Sequence, residues 1–277
     1  MIELKNSGLP IYLKENDELM AISVPLTLGG FSHKTVGQMK GLFADETDLA
    51  PEEIVYDVYR SLIYPADKPI LDEWKFQYDI TIVRSGLLNG ECKKTSGHYH
   101  GYNPQRTYTY GEVYEVIKGT ALYVLQRADN FEATPEELNI DDVILAVVKE
   151  GETIIVPPDY GHCSINIGEG PLVFSNLAYS PCKVHYDAVK HHQGMSFYAR
   201  KEGGKLRVTP NPNYAQKIAP KFARVRENEA LGIKFGLPVY QSFLKNPEAF
   251  RFLSEPDAWF GEIMGMLDKK NTLEEVL

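Results

Sequence analysis

The stretch TSGHYHGYNPQRTYTYGEVYEVIKG, residues 95–119, has two histidines one residue apart and a glutamate twelve positions after the second. Residues two apart on a β-strand point to the same side, so His98 and His100 can present their imidazoles together. Glu112 and Tyr114 share a face in the same way. Two neighbouring strands can therefore bring three ligands, from His98, His100 and Glu112, to one point.

A fourth histidine, His162, lies in the segment GETIIVPPDYGHCSINIG, residues 151–168. The spacing of Gly151, Pro157, His162 and Asn166 resembles the second motif of the cupin superfamily, with Asp159 where that motif usually has glycine. The H-x-H, Glu and Gly of residues 98–119 resemble its first motif. Two motifs in this order predict a metal site. The four predicted ligands are His98, His100, Glu112 and His162.

This donor set contains three imidazoles and one carboxylate. Such ligands suit Fe(II), Mn(II), Ni(II), Co(II) or Zn(II), with positions left open for substrate or water, and ligand type alone does not choose among these metals. An H-x-H pair by itself is more often two polar strand side chains, so the prediction depends on Glu112 and His162 at matching places. The alternative is a cupin that keeps the motif without activity.

The composition favours a folded protein of the cytoplasm. A chain of 277 residues with 43% apolar side chains can bury a substantial core. Its net charge of −9 works against nonspecific nucleic-acid binding, which needs a cationic surface. No apolar run approaches the length of a membrane span, and three cysteines without metal-site spacing favour reduced thiols. We therefore expect a cytoplasmic protein that contacts neither nucleic acid nor membrane.

Short β-forming runs fill the chain from Lys75 to about Tyr198. In KFQYDITIVRSG, residues 75–86, apolar side chains alternate with polar ones, which is the period of a strand whose two faces have different surroundings. The pattern continues through GEVYEVIKG, TALYVLQ, ILAVVKEGETIIVPP, CSINIG and PLVFSNLAY. Many short strands at this spacing predict a mainly β sandwich or barrel.

The N-terminal part has a different texture. We expect the first thirty residues to be irregular, because prolines and glycines interrupt them. The segment DLAPEEIVYDVYRSLI, residues 48–63, predicts a short helix. Pro51 suits a first helical position, and Ile54, Val58 and Leu62 fall on one helical face.

The C-terminal part predicts two or more short helices. Asn246 and Ser254 can cap NPEAFRFL and SEPDAWFGEIMGML, and each has a proline near its first turn. We expect the apolar side chains of this tail to pack on the barrel or on a second subunit. We therefore divide the chain into a barrel domain, residues 1–205 with its core at about 75–200, and a helical extension, residues 206–277.

More of the chain resembles one family than the metal motifs require. KTVGQMKGLFADE, IVYDVY, TSGHYH, EVYEVIKG, VPPDYGH, NLAYSP and HYDAV are together similar to the cupin-type glucose-6-phosphate isomerases of archaea and some bacteria. The resemblance covers roughly residues 30–200, and TSGHYH with EVYEV is its most specific part. It implies a double-stranded β-helix, a jelly-roll barrel, that interconverts glucose 6-phosphate and fructose 6-phosphate. A homodimer is expected by the same analogy.

The resemblance also implies roles for individual residues. One divalent metal per subunit, with Fe(II) expected first, would be held by the four predicted ligands. Glu112 would move the proton between C2 and C1, positioned by Tyr114, unless a hydride shift replaces this step. Thr81, Thr95 and Gly97 match positions that hold the substrate phosphate. Tyr179 and His185 match the tyrosine and histidine at the far end of the pocket.

Three departures from the family pattern stand out. The loop between His100 and Glu112 is longer than in the short archaeal members, and Arg106 within it could reach the substrate. Tyr186 directly follows His185, so the family's second tyrosine is displaced. The helical tail has no counterpart in the shorter proteins.

Two other functions compete with this hypothesis. One is another metal-dependent cupin enzyme, either a mannose-6-phosphate isomerase or a non-haem iron dioxygenase. The other is a non-catalytic module that binds a sugar phosphate without changing it. Oxygen consumption would identify a dioxygenase, and binding of fructose 6-phosphate without turnover would identify the module.

Overall fold

The computed structural model describes residues 1–45 and 50–277, and these residues form a mainly β protein. This confirms the predicted fold class. Numbered in chain order, the strands are β1 Ile2–Glu3, β2 Ile11–Leu13, β3 Met20–Ile22, β4 Gly30–Thr35, β5 Ile54–Arg60, β6 Phe76–Val83, β7 Leu87–Leu88, β8 Glu91–Cys92, β9 Tyr99–His100, β10 Glu112–Lys118, β11 Thr120–Ala128, β12 Ile140–Lys149, β13 Thr153–Val156, β14 Tyr160–Asn166, β15 Leu172–Tyr179, β16 Val184–His185, β17 Phe197–Glu202, β18 Lys205–Pro210, β19 Lys221–Val225 and β20 Leu267–Lys270.

The helices are short. The α-helices are α1 Lys68–Trp74, α2 Asp187–His191, α3 Val239–Lys245 and α4 Phe260–Gly265. Single 3-10 turns or slightly longer 3-10 segments lie at Lys5–Ser7, Gly37–Met39, Pro65–Asp67, Pro135–Glu137, Glu229–Leu231, Pro247–Leu253 and Pro256–Ala258. Across residues 1–45 and 50–277, none of the helices has the length and apolar character that crossing a membrane requires.

Two large sheets carry the fold. The first has six antiparallel strands in the order β13-β10-β15-β6-β5-β4, and the second has five in the order β14-β11-β12-β19-β20. Between β10 and β15 the chain passes back and forth between these sheets, since β10, β13 and β15 belong to the first and the hairpin β11–β12 and strand β14 belong to the second. Alternation of antiparallel strands between two facing sheets is the arrangement of a jelly roll.

The central strands of the six-stranded sheet are buried on both faces, whereas its edge strand β4 is mostly exposed. The inner face of the sheet packs against the five-stranded sheet, as the rings of Tyr114 and Tyr123 show with centroids 5.3 Å apart. Its outer face carries Ile80 and Val113, which pack in a second cluster with side chains from both ends of the chain. The central strand β10 is therefore almost wholly buried, and this fixes the position of the side chains that it points inward.

The prediction of a helix over residues 48–63 is wrong. Asp48 and Leu49 lie outside the described residues, and Ile54–Arg60 forms β5, paired with β4 and β6. The spacing of Ile54 and Val58 fits one helical face, but IVYDVY is rich in β-branched and aromatic residues that pack well between two strands. Tertiary pairing therefore overrides the weak helical period.

The first thirty residues are also more regular than expected. Strands β1, β2 and β3 form a small antiparallel sheet, and its buried residues Leu4, Leu9 and Ile11 pack on the outer face of the six-stranded sheet. Short strands of two or three residues lack the alternation length that a sequence pattern needs.

The predicted C-terminal helices are present as short segments between Val239 and Gly265, and the tail also contributes strands. Strand β19 pairs in parallel with β12, and β20 pairs with β19, so the tail extends the five-stranded sheet. Phe243, Phe250 and Ile263 are buried against the outer face of the other sheet. The expected packing of this tail is therefore on the barrel of the same chain.

Candidate metal centre and substrate cavity

The four predicted metal ligands converge on one point. His98 and His162 face each other in antiparallel register, with both backbone hydrogen bonds formed, His98 N to His162 O at 3.1 Å and His162 N to His98 O at 2.9 Å. His100 lies in β9, and Glu112 opens β10 in the opposite sheet. One ligand atom from each of the four residues lies within 4.8 Å of all the others.

The distances within this cluster fit a cation better than a hydrogen-bonded group. The Nε2 atoms of His98 and His100 are 3.2 Å apart, and Glu112 Oε2 lies 3.2 Å from His162 Nε2 and 3.3 Å from His100 Nε2. Each neutral imidazole has one N–H, and a carboxylate is only an acceptor, so several facing lone pairs need a shared positive partner. Three imidazoles and a carboxylate are a normal ligand set for a divalent transition metal.

Neighbouring groups orient two of these ligands. His100 Nδ1 is 3.1 Å from the carbonyl oxygen of Tyr110, which selects the tautomer with its Nε2 lone pair directed into the cluster. Asn176 on β15 donates a hydrogen bond of 2.8 Å to Glu112 Oε1, and the Tyr114 hydroxyl donates one of 2.8 Å to Glu112 Oε2. The sequence analysis did not identify Asn176, although it lies in the NLAYSP segment.

Burial sets the protonation of the cluster. It lowers the pKa of His98 well below its ordinary value, and the neighbouring His162 and His100 add to this effect. Burial alone would raise the pKa of Glu112, but hydrogen bonds and charges from His100 and His162 hold it well below its usual range. Burial and Glu112 raise the pKa of Tyr114 well above its usual range. Burial also lowers the pKa of His162, so the directions favour neutral imidazoles at His98 and His162, a carboxylate at Glu112 and a protonated phenol at Tyr114, as metal binding requires.

The cluster lies at one end of a cavity with a volume of about 240 Å³. The inner faces of β4, β5, β6, β15 and β10 form its floor, and the segment around Thr95–His100 forms a wall. The polar and charged side chains that line it, apart from the four-ligand cluster, include Ser32, Lys34, Tyr56, Arg60, Gln77, Asp79, Thr81, Thr95, Ser96, Tyr114, Asn176, Tyr179 and Tyr186.

The three predicted phosphate-binding residues all line this cavity. Thr81 is buried on β6, two strands from Glu112 in the sheet order. Thr95 Oγ1 accepts a hydrogen bond of 3.0 Å from Ser164 N, which leaves the hydroxyl hydrogen free to donate. Gly97 has φ +78°, and a Cβ there would lie 2.9 Å from Met195 Sδ, so this bend requires glycine.

Two cations that the sequence analysis missed lie at the open edge of the cavity. Arg60 is the last residue of β5, and its Nη1 is 3.5 Å from Asp79 Oδ2 on β6, while half of its side chain is exposed. Lys34 on β4 lies opposite Tyr56 of β5 in the backbone register. The Tyr56 hydroxyl is 3.1 Å from Ser96 Oγ. Strand alternation would have identified Arg60, since every second residue of β5 faces the cavity. The prediction of a helix over this segment prevented that assignment.

The remaining predicted residues divide between the cavity and its surroundings. Tyr179 lines the cavity, but His185 does not, because it turns toward Glu132, with Nε2 3.1 Å from Oε1. Tyr186 lines the cavity instead, with its ring centroid 5.5 Å from that of His98. Neighbouring residues on a strand point to opposite sides, which explains the exchange. Arg106 forms an ion pair with Glu132 outside the cavity.

Comparison with known proteins finds one family and curated relatives that carry the same name. Residues 33–216 match the family described as glucose-6-phosphate isomerase (GPI). The glucose-6-phosphate isomerase of Pyrococcus abyssi is 29% identical over 187 residues, which are 65% of this chain and 86% of the relative. That of Thermococcus litoralis is 29% identical over 189 residues, 66% of this chain and 87% of the relative.

Similar solved structures cover smaller parts of the chain. An oxalate oxidase superposes with a TM-score of 0.32 and 16% identity over 53% of this chain and 64% of its own. Hazelnut vicilin superposes with a TM-score of 0.33 and 10% identity over 50% of this chain and 34% of its own.

Proposed function

We propose, since the chain belongs to the glucose-6-phosphate isomerase family by its match over residues 33–216, that it interconverts glucose 6-phosphate and fructose 6-phosphate. The proposal includes one divalent metal, held by His98, His100, Glu112 and His162. Fe(II) is the metal we expect first, and Mn(II), Ni(II), Co(II) and Zn(II) suit the same ligands.

The observation that carries this proposal is the pairing of two unlike sites in one cavity. The metal ligands lie on the β10 side, whereas Thr81, Arg60 and Lys34 lie on β6, β5 and β4. Thr81 is two strands from Glu112, a separation of roughly 10 Å at the usual strand spacing. An open-chain hexose with a terminal phosphate has a length of this order, with its C1 and C2 oxygens at the opposite end from the phosphate.

The chemistry at the metal end needs a proton acceptor near C2. When bound, the metal supplies a Lewis acid that polarises the oxygens of C1 and C2. Glu112 is the carboxylate at this position, and Asn176 and Tyr114 hold its two oxygens. Because the hydroxyl of Tyr114 stays protonated, it can stabilise negative charge on the substrate oxygen or on Glu112 as the proton moves.

A carboxylate with a depressed pKa is a weak base, so the proton-transfer step needs its own test. If Glu112 moves the proton through an enediol, deuterium at C2 of glucose 6-phosphate should be partly lost to water during turnover. Complete retention of the label at C1 of fructose 6-phosphate would instead establish a hydride shift between the two carbons. Glu112 would then serve only as a ligand.

The experiment that tests the function is isomerisation by chelator-treated protein resupplied separately with Fe(II), Mn(II), Ni(II), Co(II) or Zn(II). Activity that disappears on treatment and returns with one of these metals is the expected result. Protein that binds metal and fructose 6-phosphate but does not convert it would be a binding module. Conversion of mannose 6-phosphate alone would assign a different isomerase, and oxygen consumption a dioxygenase.

A further inference from the structure

One loop connects two of the metal ligands directly. Residues Gly101–Gly111 leave His100 and lead into Glu112, so the ends of this loop are joined to both predicted ligands. The carbonyl of Tyr110 within the loop is 3.1 Å from His100 Nδ1. The ring of Tyr110 also contacts that of Tyr179, with centroids 4.9 Å apart, and Tyr179 lines the cavity.

The C-terminal tail holds this loop from one side. Asp257 Oδ2 accepts a hydrogen bond of 2.8 Å from the amide of Asn103, which is buried in the loop, and the Thr107 hydroxyl donates to Asp257 Oδ1. Phe260 stacks on Tyr108 with centroids 5.6 Å apart and an angle of 21° between the rings. Asp257 and Phe260 lie outside residues 33–216, so this contact comes from a part of the chain beyond the family match.

The barrel holds the loop from the other side through Asp159. Thr109 N donates 2.9 Å to Asp159 Oδ1, and Asp159 N donates 2.6 Å to Thr109 Oγ1. Asp159 has φ +70°, a left-handed conformation that favours glycine and that aspartate also tolerates. This explains why the cupin motif usually has glycine here, and it shows what the aspartate side chain adds: a hydrogen bond from its carboxylate to the loop, three residues before His162.

We propose that Asp159 and Asp257 are positioning residues that brace the Gly101–Gly111 loop and thereby keep His100 and Glu112 at ligand distance. The inference rests on the proposed metal site, but not on the reaction that occurs there. It assigns to the tail a role in metal affinity. Neither aspartate touches the metal ligands themselves, so both act through Asn103, Thr107 and Thr109.

The test measures Co(II) affinity by competition with a chromophoric chelator, together with the visible absorption spectrum of the Co(II) protein. Asp159→Gly fits the left-handed backbone and removes only the carboxylate, and Asp257→Ala removes the tail contact. We expect the double variant to bind Co(II) about tenfold more weakly, with an altered spectrum, because outer contacts of this kind have effects of that size. Asp257→Asn, which keeps an acceptor oxygen, should restore most of the affinity.

Two controls keep the result interpretable. Glu262→Gln removes an exposed tail carboxylate close to Asp257 in sequence and should change neither affinity nor spectrum. Thr107→Val changes an exposed side chain and removes one of the two hydrogen bonds to Asp257, so it should weaken Co(II) binding by less than Asp257→Ala does, without threatening the fold. Wild-type affinity and spectrum in the folded double variant, or in Thr107→Val, would refute the proposal that Asp159 and Asp257 brace the loop. Wild-type protein that binds Co(II) but does not isomerise would refute the proposed reaction and leave this inference standing.

Discussion

The two ends of the cavity are built on different principles. At the metal end, Glu112 comes from the six-stranded sheet and His162 from the five-stranded sheet, and His98 is held by backbone pairing with His162. All four predicted ligands, His100 included, are mostly buried. At the other end, Lys34 on the exposed edge strand β4 and Arg60 at the end of its neighbour β5 keep their charges in contact with solvent. The first end fixes geometry, whereas the second supplies charge.

This difference teaches which substitutions should act on turnover and which on binding. Rigid, desolvated groups act on the reacting atoms, where small displacements change the rate. Under the proposed function, exposed cations at the edge would interact with the phosphate in substrate and transition state alike, so they would contribute uniform binding. The predictions below test that division, beginning with the largest effect.

Replacement of Glu112 by Gln should lower kcat by about a thousandfold, because it removes the carboxylate from the reacting end while keeping the side-chain shape. Steady-state assays should be combined with metal analysis of the same preparation, since the variant also loses a charged ligand. Near-normal kcat in a variant that contains metal would mean that neither the base nor the essential ligand is Glu112.

Arg60→Ala should raise KM about tenfold and leave kcat within about twofold, since a charged hydrogen bond to phosphate is worth about 1.5 to 3 kcal/mol and this arginine is half exposed. Lys34→Ala should act in the same direction with a smaller effect. The increase should shrink at high salt because exposed charges are screened.

Arg207→Ala provides the matched control for these cations. Arg207 is 63% exposed and pairs with Glu202 away from the cavity, so its loss changes net charge equally without touching the edge. If Arg207→Ala raised KM as much as Arg60→Ala, the effect would be general electrostatic attraction. A fall in kcat for Arg60→Ala would instead show that the two ends are coupled.

The convergence of His98, His100, Glu112 and His162 could be predicted from sequence because these residues lie in short motifs whose spacing follows strand alternation. The polar side of β6, with Gln77, Asp79 and Thr81, follows from the same alternation and faces the cavity. Arg60 was not identified, because its strand was predicted to be a helix. A helical period at Ile54, Val58 and Leu62 hid the strand on which Tyr56, Val58 and Arg60 share a face.

Two other features depend on contacts that no local pattern contains. Tyr186 rather than His185 lines the cavity, because His185 pairs opposite Tyr99 and its imidazole lies against Glu132. Asn103 and Asp257 are 154 residues apart in the chain. Such a contact follows only from the packing of the tail on the barrel, since each residue taken alone is an ordinary polar side chain.

Thr81→Ala tests the middle of the cavity and should have a smaller effect than loss of Arg60. Its neutral hydroxyl is buried at 4% exposure, and a neutral hydrogen bond contributes about 1 kcal/mol, so KM should rise about fivefold while kcat changes little. Thr81→Ser, which keeps the hydroxyl, should restore KM. A drop in kcat without a change in KM would show that Thr81 acts on the reaction step and not on substrate binding.

Glu115→Gln should leave both ends of the cavity unchanged and alter only stability. Glu115 lies on β10 next to Tyr114 but points to the outer face, where its Oε2 accepts a hydrogen bond of 3.0 Å from Val239 N in the tail. Burial raises its pKa from 4.5 to about 8. The folded state therefore favours the protonated form, and the stability that this carboxyl contributes is complete below pH 4.5 and is lost as the pH rises through 8.

Denaturant unfolding at a series of pH values separates this effect from catalysis. Between pH 6 and 8, wild-type protein should lose about 2 kcal/mol more stability than Glu115→Gln, because glutamine keeps the acceptor and cannot ionise. Glu262→Gln, an exposed tail position, should follow the wild-type pH dependence. Equal slopes for wild type and Glu115→Gln would mean that Glu115 ionises freely in the folded protein. A changed kcat in Glu115→Gln would show that the outer face of β10 reaches Glu112 on the inner face.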